Sequence, residues 1–218
     1  MVSIATQIAP AKIAPAKIAP AETEEAQPEK LLTAEEFFER YGGKKAELIE
    51  GRIFFGGELI NGKVVEEMPP GGTHGELAVD IAVLLKAFVR QHSLGKVYVE
   101  TGFILERNPG KRDTVRSPDV SFVETARLPE GRSPPGFFEG APTIAVEIVS
   151  PGDLWTKVED KVRLYLSKGT RAVWIVEPVA HTVTIRSADN TSVLQANETL
   201  DGGAALPGFE LPLSEIFE

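Results

Sequence analysis

The sequence predicts an α/β domain in which a mixed central β-sheet is flanked by helices. Three observations lead there. A long helical period (73–92) and a second one (154–168) are separated by short β-branched runs, and further short runs follow the second helix. Turn signals of Pro and Gly punctuate the chain between them. Such an order of helix, several strands, helix and strands implies one sheet with helices packed on it.

The elements read as follows. Residues 8–22 repeat a five-residue unit, Ile8-Ala9-Pro10-Ala11-Lys12 and its successors. Regular prolines exclude a helix, and the apolar content is too dilute for a core. A disordered or extended tail over 1–29 is expected, with the folded domain over 30–218. Thr33-Ala34-Glu35-Glu36 is a capping box that opens a short helix to about Tyr41, closed by Gly42-Gly43. Glu47 to Phe55 reads as a strand interrupted at Gly51, with a return strand across Lys63 to Met68. After the Pro69-Pro70-Gly71-Gly72 loop, Leu77, Ile81, Leu84, Leu85 and Phe88 form one apolar stripe on a helix from Thr73 to about His92.

Strands are expected at 96–106, 119–124 and 142–149, with a polar loop at 107–118 and a Pro/Gly-rich excursion at 127–141. The helix from Leu154 to Lys168 is closed by Gly169, with Asp153 expected as its N-terminal cap. Strands at 171–177 and 181–187 follow.

Composition narrows the function. The chain has 218 residues, 42% hydrophobic and 25% charged, as in an ordinary globular domain. No apolar stretch approaches the ~20 residues of a membrane helix, and no secretion signal opens the chain. The absence of cysteine excludes disulfides and thiolate chemistry, which agrees with a cytoplasmic location. Three histidines without cysteine do not make a zinc set, and neither a phosphate-binding Gly-rich loop nor a Gly-x-Ser-x-Gly elbow is present. A net charge of −9 argues against nonspecific coating of nucleic acid. It leaves a nuclease open, because metal ions and local patches such as Arg107, Lys111, Arg112 and Arg116 can reverse the sign locally.

Two carboxylates carry the chemistry. Asp119 and Glu147 each lie in a β-branched apolar run, where a buried acid costs several kcal/mol unless something neutralises it. Alternation puts Glu147 with Thr143, Ala145 and Val149 on one face, and Asp119 with Ser121 and Val123 on one face. If the strands are neighbours, the two acids converge and offer the oxygen donors that Mg²⁺ or Mn²⁺ prefers. In the following helix Leu154, Trp155, Val158, Val162, Tyr165 and Leu166 form the apolar face. Lys161 stands roughly 80° from its centre, a shoulder position from which an amine can reach across the sheet end.

Ser117-Pro118-Asp119-Val120, Val146-Glu147-Ile148-Val149-Ser150-Pro151, Lys161-Val162-Arg163-Leu164-Tyr165 and Val173-Trp174-Ile175-Val176-Glu177-Pro178 together resemble the putative restriction endonuclease family of the PD-(D/E)XK nuclease superfamily. Ala46-Glu47-Leu48-Ile49-Glu50-Gly51 and His74 extend the resemblance to nearly everything after residue 30. It implies a restriction endonuclease-like fold and a metal-dependent endonuclease acting on DNA. Asp119 and Glu147 would be the metal ligands, and Glu47 would be a third acid.

The superfamily signature places lysine two residues after the second acid, where this chain has Val149. The family's lysine is thought to come from the next helix, which makes it Lys161. A homodimer suits the cutting of both strands. The competing expectation is a nuclease fold whose site has decayed into an interaction module or scaffold. Carboxylates on opposite sheet faces would favour that reading.

Overall fold

The computed structural model describes residues 33–41, 46–49, 52–55, 59–60, 63–64, 71–107 and 113–217. The expected tail over 1–29 lies outside them, as do the expected boundary near Lys30 and the patch residues Lys111 and Arg112. Helix α1 (Ala34–Tyr41) starts as the capping box requires: Thr33 N–H donates to Glu36 Oε2 at 3.1 Å, and Glu36 N–H donates to Thr33 Oγ1 at 3.2 Å. Strands β1 (Ala46–Ile49) and β2 (Arg52–Phe55) form an antiparallel hairpin across the expected interruption at Gly51. Of the expected return strand across Lys63 to Met68, the described residues form β4 (Lys63–Val64), which pairs with β3 (Leu59–Ile60).

Helix α2 (Gly72–Gln91) buries Leu77, Ile81 and Leu85 with Ala78, Ala82 and Val89, the stripe that the sequence shows, while Leu84 and Phe88 pack at its margin. The expected single strand over 96–106 is two strands in different sheets, β5 (Gly95–Val99) and β6 (Phe103–Glu106). Two features accompany the break. Glu100 adopts φ 46°, and a Cβ on Gly102 would lie 2.3 Å from the Phe137 ring. Within the expected loop 107–118 stands β7 (Thr114–Arg116), followed by β8 (Val120–Glu124). The 127–141 excursion carries β9 (Phe138–Glu139), and then come β10 (Ile144–Ile148), helix α3 (Trp155–Ser167) and β11 (Ala172–Glu177). Strands β12 (Thr182–Arg186), β13 (Thr191–Gln195), β14 (Thr199–Asp201) and β15 (Glu210–Pro212) complete the chain.

Among the described residues the strands form two principal sheets where one was expected. The larger runs β13-β12-β11-β10-β8-β5 and is mixed, with β10 and β11 parallel and the other neighbours antiparallel. The second runs β2-β1-β7-β6-β9.

Alternation along the larger sheet divides the core. Val120, Phe122, Ile144, Val146, Ile148 and Trp174 pack against α2 and the C-terminal segment. Val123, Ala145, Val173 and Ile175 pack against Val158, Val162 and Tyr165 of α3, joined by Phe103, Leu105 and Phe138 from the second sheet. No described helix is long and apolar enough to cross a membrane.

Candidate active site

β10 and β8 are antiparallel neighbours in which Val146 stands opposite Val120. The next step of that register brings Asp119, in a bend just before β8, level with Glu147. Asp119 is therefore at the strand's threshold and not within it. Glu147 stands beside Ile175 of β11, on the sheet face covered by α3. Both acids are largely enclosed, with 9% and 6% of their surfaces exposed. Burial on that scale requires partners for the charge.

The partners are present. Lys161 Nζ donates to Glu147 Oε2 at 3.0 Å, and the Tyr165 hydroxyl donates to Glu147 Oε1 at 2.9 Å. Lys161 and Tyr165 are one helical turn apart on α3, so both reach the same carboxylate. The Ile148 N–H donates to Asp119 Oδ2 at 2.7 Å, which ties Asp119 to the residue directly after Glu147. His74, from the first turn of α2, places Nε2 at 3.2 Å from Asp119 Oδ1, and its Nδ1 is 3.3 Å from Ser150 Oγ. Burial raises the pKa of Asp119, but the bonds from His74 and the Ile148 amide, with the charge of Lys161, outweigh it and hold the carboxyl below its usual range.

The structure thus brings together Asp119, Glu147 and Lys161, and adds His74. Glu47 lies on β1, which adjoins β7 through Leu48 opposite Val115, and its side chain is outside the described residues. Tyr165 was expected only as a core residue. It is fully buried as expected, yet its hydroxyl serves Glu147. Nothing in its sequence setting separates it from the other apolar-face residues of the helix.

Two expectations are corrected. Asp153 does not cap α3, whose N-cap is Leu154 without a side-chain cap; its carboxylate instead accepts from Ser150 N–H at 2.7 Å. Arg107 does not offer a cation for phosphate, because Glu35, Asp113 and Glu139 all engage its guanidinium.

The two-carboxylate donor set fits a hard divalent ion. A carboxylate presents about four lone-pair directions, so accepting the bonds just described is compatible with ligating an ion. Mg²⁺ needs one or two protein carboxylates and fills the remaining positions with water or phosphate oxygens. Among the described residues no group of three or more acids and histidines is gathered for a metal.

No curated protein matches the chain. A crystal structure of a putative nuclease belonging to DUF820 from Anabaena variabilis ATCC 29413 superposes with a TM-score of 0.66 at 21% identity, covering 85% of this chain and 97% of that one. At this identity the likeness shows a shared fold. The family profile of Uma2, putative restriction endonuclease, matches residues 57–214, which include Asp119, Glu147 and Lys161. By that match the chain belongs to the Uma2 family of putative restriction endonucleases.

Proposed function

We propose that the protein is a metal-dependent endonuclease that hydrolyses phosphodiester bonds of DNA. The observation that carries this reading is Lys161, whose ammonium meets Glu147 from a separate helix although Val149 occupies the usual lysine position. Asp119 and Glu147 would hold Mg²⁺ or Mn²⁺. Bound there, such an ion polarises a phosphoryl oxygen and acidifies a water.

The chain's own residues supply the rest. Lys161 offers a fixed positive charge to the oxygens that become more negative in the transition state. The Tyr165 hydroxyl restrains the Glu147 carboxylate, and Ile148 N–H restrains Asp119. Glu47 would complete the ion's shell directly or through water. No side chain caps the first turn of α2 and no acid stands in it, which suits a phosphate backbone near His74. A homodimer would allow both strands to be cut.

A second reading, a nuclease fold retained as an interaction module, draws on the Lys161–Glu147 ion pair, which neutralises the acid without any ion. Lys161→Met separates the two. The endonuclease reading expects Mn²⁺ binding close to wild type and turnover lowered by about 10²-fold or more. Steady-state cleavage and calorimetry measure both quantities, and a fully active Lys161→Met enzyme would contradict the assignment.

A further inference from the structure

His74 and Ser150 are not needed to neutralise Glu147, yet they form a continuous chain of contacts that ends on Asp119. The chain begins in the turn after β10. Ser150 N–H donates to Asp153 Oδ2 at 2.7 Å, and Asp153 N–H returns a bond to the Ser150 carbonyl at 2.9 Å. That reciprocal pair fixes the Ser150 backbone. Its hydroxyl lies 3.3 Å from His74 Nδ1, and His74 Nε2 lies 3.2 Å from Asp119 Oδ1. An ionised carboxylate only accepts, so Nε2 carries the proton that it shares with Asp119. The imidazole side chain is 11% exposed, which limits the alternatives open to the ring.

The position of Asp119 explains what this chain is for. The residue sits in a bend just before β8, where Glu100 N–H donates to its carbonyl at 3.1 Å and holds its backbone, so the carboxylate depends on contacts of its own. The Ile148 N–H restrains one oxygen. With that bond alone the carboxylate could pivot about it, and the second contact removes the pivot. The second contact comes from α2, the layer on the opposite side of the sheet from α3, which carries Lys161.

We infer that His74, locked by Ser150 and the Ser150–Asp153 turn, is a positioning residue that sets the Asp119 carboxylate in the orientation needed to ligate a divalent cation. The inference rests on the metal-site reading above and adds a residue that acts on the ion through Asp119. Outer partners of metal ligands typically contribute ~10- to 100-fold in affinity.

The test is calorimetric titration of the full-length chain with Mn²⁺ alone, with thermal melts as a control for folding. His74→Phe keeps a ring but has no donor, and it should bind Mn²⁺ ~10-fold or more weakly. His74→Gln, which restores an N–H near the Nε2 position, should recover affinity to within about threefold of wild type, an outcome that loss of packing would not give. His74→Phe with wild-type affinity, or His74→Gln as weak as His74→Phe, would overturn the inference. If His74→Phe does not fold, Ser150→Ala decides. It should bind about threefold or more weakly, and unchanged affinity would overturn the locking role.

Asp119→Asn separates this inference from its parent reading. If it abolishes Mn²⁺ binding while His74→Phe does not weaken it, only the role of His74 fails. A wild-type chain with no Asp119-dependent titration overturns both.

Discussion

Glu147 shows how a buried charge becomes a tool. Alone on a sheet face among Ala145, Val173 and Ile175 it would be expelled or protonated, but an ammonium and a phenol from α3 meet one oxygen each. Tyr165→Phe tests the phenol's share. It removes one hydroxyl from a fully buried site and should destabilise the fold by about 1–2 kcal/mol, read as a lower denaturant midpoint with unchanged slope. Unaltered stability would show that the Glu147 carboxylate finds another donor at no cost. Asp119 and Glu147 were legible in the sequence because acids are disfavoured in β-branched apolar runs. Tyr165 was not, because a tyrosine on an apolar helix face looks the same whether or not its hydroxyl has a partner.

At the scale of elements, α3 joins the site to the sheet. One flank carries Lys161, and another carries Glu159, which accepts from Arg186 of β12 at 2.9 and 3.2 Å and from Arg163 at 3.2 Å. The Arg186 hydrogen bonds are the main cause of a Glu159 pKa below the ordinary value. A depressed folded-state pKa means that the stabilisation is present above the unfolded-state value and disappears as pH falls through the folded one. Glu159→Gln should therefore lower the melting temperature at pH 7 modestly, as befits a pair near the surface. The difference from wild type should close below about pH 4. Melts across pH 3–7 check this, and a gap that widened toward acid would refute it.

Helices α1, α2 and α3 were readable from the capping box and from apolar periodicity, which are local signals. The division of 96–106 between two sheets was not, because it goes with a positive φ at Glu100 and with contact between Gly102 and Phe137, a residue far along the chain. The role of Asp153 was missed for a similar reason. A carboxylate beside a helix start can serve the turn behind it as well as the helix ahead.

On the scale of the molecule, the larger sheet is a partition with α2 on one face and α3 on the other, and the candidate site lies where both layers reach the ends of β8 and β10. Residues 119 and 147 are 28 positions apart and become neighbours only through the register of that sheet. Alternation along each run assigns the faces, but strand adjacency is a tertiary fact.

If this junction gathers a divalent ion to cut DNA, cleavage depends both on the ion and on Glu147. Plasmid DNA is incubated with the wild-type chain and with Glu147→Ala in Mg²⁺, in Mn²⁺ and in chelator. The expected result is cleavage by the wild type with either ion, none in chelator, and none by Glu147→Ala although its melt remains cooperative. Wild-type cleavage that survives chelation, or a fully active Glu147→Ala protein, would contradict the account.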